Sequence, residues 1–139
     1  MVECIFCRIV QGELPSFKLY ENERVLAFAD INPNSPGHTL IIPKKHVETL
    51  WEIEEEDLAA IHVTSRRLAH AIREAVKPVG LAALQLNGKG ANQLVMHYHL
   101  HLIPRLSGSP PLPVTDWELK PGNMDAIGQT AKKIAAAVR

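Results

Sequence analysis

Apolar and polar positions repeat along this chain with two different periods. Leu58, Ile61, Ser65, Leu68, Ile72 and Ala75 recur every three or four residues, which predicts one long amphipathic helix over residues 54–77. Glu54, Glu55, Glu56 and Asp57 crowd its start, where the helix dipole favours negative charge, and Pro78 and Gly80 end it. Short apolar runs bounded by turn residues predict strands over 17–20 and 25–29, paired as a hairpin, then 39–43, closed by Pro43, and 81–86. Met124, Ile127, Ala131, Ile134 and Val138 share one face of a final helix over 123–139. The proline-rich stretch 107–122 reads as irregular chain.

The strictest alternation lies in Met96-His97-Tyr98-His99-Leu100-His101-Leu102-Ile103-Pro104-Arg105. It predicts a half-buried strand with His97, His99 and His101 along one polar face and Tyr98, Leu100 and Leu102 toward a core. Pro104 has no N–H for the ladder and should end the strand. With a rise of about 3.3 Å per residue, His97 and His101 attach about 13 Å apart. A zinc ion takes nitrogens at about 2.0 Å, so one metal can hardly hold both ends of the row. The three imidazoles are therefore expected to have separate tasks. The order of elements predicts an α+β fold, an antiparallel sheet of about five strands with one long packed helix and a C-terminal helix.

Composition narrows the partners. At 139 residues the chain is read as one domain with a core of its own. Lysine plus arginine and aspartate plus glutamate both number 15, so no basic field points to a nucleic acid polymer. No apolar run approaches the roughly 18 residues of a membrane span. Met1-Val2-Glu3-Cys4 lacks the basic and apolar regions of a signal peptide, which predicts a cytoplasmic protein. There Cys4 and Cys7, the two cysteines of the chain, read as metal ligands or reduced thiols rather than a disulfide. Their Cys-x-x-Cys spacing alone leaves a redox pair, half a zinc site or coincidence open. A redox pair is expected near a βαβ pattern, and none follows.

The run from His97 to Ile103 resembles the signature of the histidine triad (HIT) superfamily, and Pro104 after it resembles the bacterial branch. Phe28-Ala29-Asp30-Ile31 and the glycine-bearing loop 87–93 are similar to further segments of that family. The resemblance implies a HIT-like fold, and a homodimer whose sheets continue across an interface formed by the long helix and strand 82–86. It implies a base pocket walled by Ile5, Phe6, Ile9, Phe28 and Ile31. Asp30 would accept hydrogen bonds from ribose hydroxyls, which suits an acceptor-only carboxylate. Asn87 and the loop through Gln93 would place ribose and phosphate. His99 would be the nucleophile and His101 a donor to a phosphate oxygen or the leaving group. His46 and His97 would join Cys4 and Cys7 around a structural Zn2+, a closed tetrahedral set.

A neutral imidazole is a nucleophile at pH 7 without losing a proton from its attacking nitrogen. Attack on an α-phosphorus would give a nucleotidyl-histidine, and water would release a nucleoside monophosphate. Nucleoside phosphoramidates and dinucleoside polyphosphates are the implied substrates, with transfer to a second acceptor as a close variant. No organic cofactor and no catalytic magnesium are expected. Two departures from the family stand out. Asn92 occupies a position where the family usually has glycine, and Leu94 one where it often has a serine or threonine hydroxyl that contacts the phosphate or leaving group. Leu94 cannot hydrogen-bond, which bears on phosphate grip and on rate. Two other classes stay open: a purine nucleotide-binding or sensing module with incidental turnover, and a zinc-stabilised interaction module with no nucleotide role. His38 is read as structural, and His62 and His70 carry no assigned chemistry.

Overall fold

The computed structural model describes residues 3–113 and 118–139; residues 114–117 of the proline-rich stretch lie outside the described residues. The elements are α1 (Ile5–Val10), β1 (Lys18–Glu21), β2 (Val25–Ala29), β3 (Thr39–Pro43), α2 (Glu55–Val76), β4 (Gly80–Gln85), β5 (Leu100–Arg105) and α3 (Met124–Ala137). The five strands form one antiparallel sheet in the order β1-β2-β3-β5-β4, so the fold is α+β as the element order predicts. The described parts of 107–122 hold neither helix nor strand. Among the described residues no helix is long and apolar enough to cross a membrane.

The apolar stripes explain the layering. Ile61, Leu68, Ala71 and Ile72 of α2 and Ala131 and Ile134 of α3 are buried against Val25, Ala27, Ile41, Tyr98, Leu100 and Leu102 on one face of the sheet. On the opposite face, Phe6 of α1 packs with Leu26, Phe28, Leu40 and Ile42. With both faces covered, β2 and β3 are buried at every position, which is why they read as continuous apolar runs rather than alternating ones. β4 is the exception. It sits at the sheet edge, and Leu81 within it and Val79 before it are exposed.

The histidine stretch departs from its sequence reading in three ways. Regular strand begins only at Leu100, so His97 and His99 lie on the approach to β5. The ladder with β3 pairs Thr39 with Leu102 and Ile41 with Leu100; one more step would set Pro43 opposite Tyr98, where it has no N–H to give. Tyr98 N–H bonds to the Val47 carbonyl instead. Second, the strand runs through Pro104 to Arg105, with Pro104 opposite Leu81. Third, the histidine face is not half-open: His97, His99 and His101 are all buried, because α1 roofs that side. The short helix α1 itself was too brief to announce itself by period. Cys4 is its N-cap, accepting a hydrogen bond from the Cys7 N–H at its sulfur.

Candidate active site

Because α1 covers the histidine face only in part, a cavity of about 220 Å³ remains between α1, the β2–β3 hairpin and the approach to β5. Ile5, Phe6, Ile9, Phe28, Asp30 and Ile31 line it together with His99 and His101, so eight of the sequence-predicted binding and catalytic residues meet there. Its lining is mostly apolar with a few polar groups, the pattern of a small-molecule pocket. Asn87 and Gln93 are not brought to that wall. Asn87 Oδ1 accepts from the Leu50 N–H at 2.7 Å and from Gln85 Nε2 at 2.9 Å. Gln93 is buried; its Oε1 accepts from the Gly88 N–H, and its Nε2 donates to the Glu48 and Val95 carbonyls. Both side chains build the loop. Leu40, Asn92, Leu94, Val95 and Leu119 line the cavity without having been assigned to it from sequence.

The histidines differ in what their nitrogens touch. His99 Nδ1 lies 2.7 Å from the His97 carbonyl oxygen. A carbonyl only accepts, so Nδ1 carries the proton and Nε2 keeps a free lone pair. Burial lowers the His99 pKa, against the raising effect of that hydrogen bond, and favours the neutral ring. His101 Nδ1 lies 2.9 Å from His38 Nε2. The Asn34 N–H donates to His38 Nδ1 at 2.9 Å, so the His38 proton sits on Nε2 and is given to His101 Nδ1. His101 then carries its own proton on Nε2, as a donor. Burial, with the neighbouring histidines, pushes His38 down to about 3 and His101 down to about 2, so both rings are neutral near pH 7. Asp30 stands 3.4 Å from His38 Nε2, and its carboxyl is raised to about 6 by burial, against the Asn32 N–H that bonds it at 2.8 Å. His38 was read as structural. The structure shows more: Ala29 pairs with Thr39 across β2 and β3, and the next step outward faces Asp30 with His38, a pairing the sequence reading did not make.

The four residues expected to hold a metal converge at the other end of the row. His97 Nε2 donates to the Pro43 carbonyl at 2.8 Å, which leaves Nδ1 unprotonated. Around Nδ1 lie Cys4 Sγ at 3.4 Å, Cys7 Sγ at 3.6 Å and His46 Nδ1 at 3.2 Å. All four donor atoms fall within 4.8 Å of one another. Tetrahedral zinc with bonds of about 2.0–2.3 Å spaces its ligands by roughly 3.3–3.7 Å, so this donor set fits the ion. Burial and the adjacent Cys4 push the Cys7 thiol up to about 11. A coordinated cation reverses that, because a coordinating thiol is deprotonated outright. Asp30, His38 and His101 also lie within 4.8 Å of one another, but there the nitrogens are arranged as donor to acceptor along a chain.

A sheet of this topology with alternating histidines over an apolar pocket defines a histidine-triad type of protein. The HIT domain family matches residues 11–108, and the chain belongs to that family. It is 48% identical over 102 residues to "Protein hit" of Bacillus subtilis, covering 73% of this chain and 70% of that one. It is 41% identical over 133 residues to the adenosine 5′-monophosphoramidase of Saccharomyces cerevisiae, covering 96% of this chain and 81% of that one. The crystal structure of a zinc-bound histidine triad family protein from Mycobacterium smegmatis superposes with a TM-score of 0.83 at 34% identity, over 97% of this chain and 92% of that one.

Proposed function

We propose that residues 1–139 form a single HIT domain that hydrolyses a nucleotide at its α-phosphate through a nucleotidyl-histidine intermediate, with a nucleoside phosphoramidate or dinucleoside polyphosphate as substrate class. The observation that carries this reading is the His99 tautomer: Nδ1–H is held by the His97 carbonyl and Nε2 has no hydrogen-bond partner among the described residues, on a ring that lines the apolar cavity. The yeast relative named as an adenosine 5′-monophosphoramidase supports the same reaction class.

The base would lie among Ile5, Phe6, Ile9, Phe28 and Ile31, with the ribose diol at Asp30. His99 Nε2 attacks the α-phosphorus. As the N–P bond forms, the bond to the leaving amine, phosphate or other group breaks, and its electron pair departs with that group. His101 Nε2–H hydrogen-bonds the group as charge builds. Water then cleaves the N–P bond and the nucleoside monophosphate leaves. Zn2+ at Cys4, Cys7, His46 and His97 has a structural part, because four protein ligands leave no open position for substrate. It would tie the start of α1 to the approach to β5, and so hold the roof of the cavity and the His97 carbonyl behind His99. The exposed edge strand β4 and the long helix α2 are the surfaces for the homodimer that the family resemblance implies. With no spanning helix among the described residues and no basic excess, a membrane or a nucleic acid polymer is not among the proposed partners, and the cytoplasm is the proposed location.

The test uses an adenosine phosphoramidate. Release of AMP, with a protein species heavier by one adenylyl group in rapidly quenched intact-mass spectra, is the expected result. Tight AMP binding without turnover supports the sensing module instead, and no AMP binding supports the zinc-stabilised interaction module.

A further inference from the structure

Cys4 and Cys7 share the first turn of α1. Cys4 is the N-cap, and the Cys7 backbone N–H donates to its Sγ at 3.4 Å. Both sulfurs stand beside one atom, His97 Nδ1, and the four donor atoms of the cluster fall within 4.8 Å of one another. The cluster is also open to small reagents, since His46 is exposed and Cys4 and Cys7 are only partly buried. The lack of a βαβ setting argues against an oxidoreductase, but not against oxidation of the thiols themselves. In a cytoplasmic protein a disulfide is a transient, redox-sensing bond rather than a structural one.

A metal and a disulfide would tie different things together here. A metal held by this set joins three segments of chain: the start of α1, His46, and His97, which is 90 residues from Cys7. A disulfide between Cys4 and Cys7 closes a loop within one turn and crosses to no other element. Exchanging the first for the second unties α1 from the approach to β5. Ile5 and Phe6 lie between the two cysteines and both line the cavity, with the Phe6 ring edge-on to His99 at a centroid distance of 5.2 Å. A change at the sulfurs therefore reaches the roof of the active site directly.

We propose that Cys4 and Cys7 are an oxidative modification site, at which hydrogen peroxide converts the two metal-holding thiolates to a disulfide and Zn2+ is released. The proposal rests on the zinc part of the reading above and is independent of the nucleotide part. One thiolate attacks a peroxide oxygen: the S–O bond forms, the O–O bond breaks and hydroxide leaves. The other thiolate attacks that sulfenyl sulfur: the S–S bond forms, the S–O bond breaks and a second hydroxide leaves. Each sulfur gives up one electron and the peroxide takes both, while the metal keeps its charge and loses two of four ligands. A thiol reductant restores the pair.

The test treats the zinc-loaded whole chain with hydrogen peroxide, following free zinc with a colorimetric chelator and the protein by intact mass. Zinc should appear in step with a product lighter by two hydrogen atoms. The thermal midpoint should fall together with these changes and return when reductant and Zn2+ are added. His46→Ala keeps both thiols, so it should hold zinc poorly and still give the product lighter by two hydrogen atoms. Cys7→Ser has no second thiol and should gain oxygen atoms instead. Zinc retained under peroxide, zinc lost without a disulfide, or a parent product heavier by oxygen atoms overturns the proposal. If elemental analysis shows that the reduced parent takes up no zinc, the zinc reading has itself failed, and the exchange falls with it whatever the AMP assays give.

Discussion

Two pairs of histidines flank His99, alike in composition and opposite in arrangement. His46 and His97 have ring centroids 5.0 Å apart, His38 and His101 5.2 Å. In the first pair, two Nδ1 atoms face each other at 3.2 Å, with two sulfurs beside them and the His97 proton turned away to Pro43. Lone pairs that converge on one point need a cation between them. In the second pair, Nε2 of one ring meets Nδ1 of the next, and the Asn34 N–H fixes the direction of the series. Protons, not metal, occupy that line, and it ends on a donor in the cavity. The same residue type is thus arranged either with lone pairs converging, as a metal site would need, or as a donor-to-acceptor series, according to which backbone group engages its second nitrogen. His97 joins the two regions, because its carbonyl holds the Nδ1 proton of His99.

That contrast predicts different failures on the two sides. His99→Ala removes the proposed bond-forming atom and leaves the pocket, so turnover of a phosphoramidate should fall by at least about 10³-fold, roughly 4 kcal/mol. AMP affinity should stay within about tenfold. Near-parental single-turnover rates would refute the nucleophile assignment. Cys7→Ala should do the reverse. Removing one of four ligands should cost on the order of 3 kcal/mol of stability, a fall of roughly 10 °C in the thermal midpoint. Turnover per folded molecule should change by less, and elemental analysis should show bound zinc in the parent and little in the variant. The opposite ranking would make the metal catalytic.

The sequence was most legible where period alone decides structure. The 3–4 spacing from Leu58 to Ala75 located α2 to within a few residues, and the apolar runs located β2 and β3. It was least legible where another element decides what is covered. Alternation in 97–103 reads as a half-open strand until α1 is known to lie over it, and six residues are too few to display a helical period. Likewise the sequence shows Asn87 and Gln93 as polar residues in a glycine-bearing loop. It does not show that Leu50, Gln85, Glu48 and Gly88 already occupy their amides. Leu119 reaches the cavity from beyond β5 with no local pattern to mark it. His38 was hidden because the sequence reading paired 25–29 only with 17–20; the β2–β3 register that faces His38 with Asp30, and its contact with His101, come from the structure.

The smallest expected effect tests the proton-carrying series itself. His38 and His101 are held neutral when folded, with pKa values lowered to about 3 and about 2, while in the unfolded chain each titrates near 6.5. A depressed folded pKa gives stability that is present above the unfolded value and lost as pH falls below it. From pH 7 to pH 5 the unfolded state gains nearly one proton at each ring and the folded state gains none, a loss of about 2 kcal/mol per histidine. Asp30 works the other way. Its pKa is raised to about 6, so its carboxylate destabilises the fold above that pH, and acidification to pH 5 returns about 1 kcal/mol. These three groups together contribute a loss of about 2–3 kcal/mol between pH 7 and pH 5, and the lowered pKa values of His97 and His99 add to it in the same direction, read from urea midpoints at matched metal content. His38→Asn removes one titrating ring while keeping an amide that can accept from Asn34 and donate to His101. It should flatten the curve by about one proton relative to the parent. Because any effect of acid on the Cys–His cluster is common to both proteins, the difference between their curves isolates His38. Parallel curves would mean that His38 takes up protons alike in the folded and unfolded states, and its Nδ1 would then not be the fixed acceptor of the Asn34 N–H.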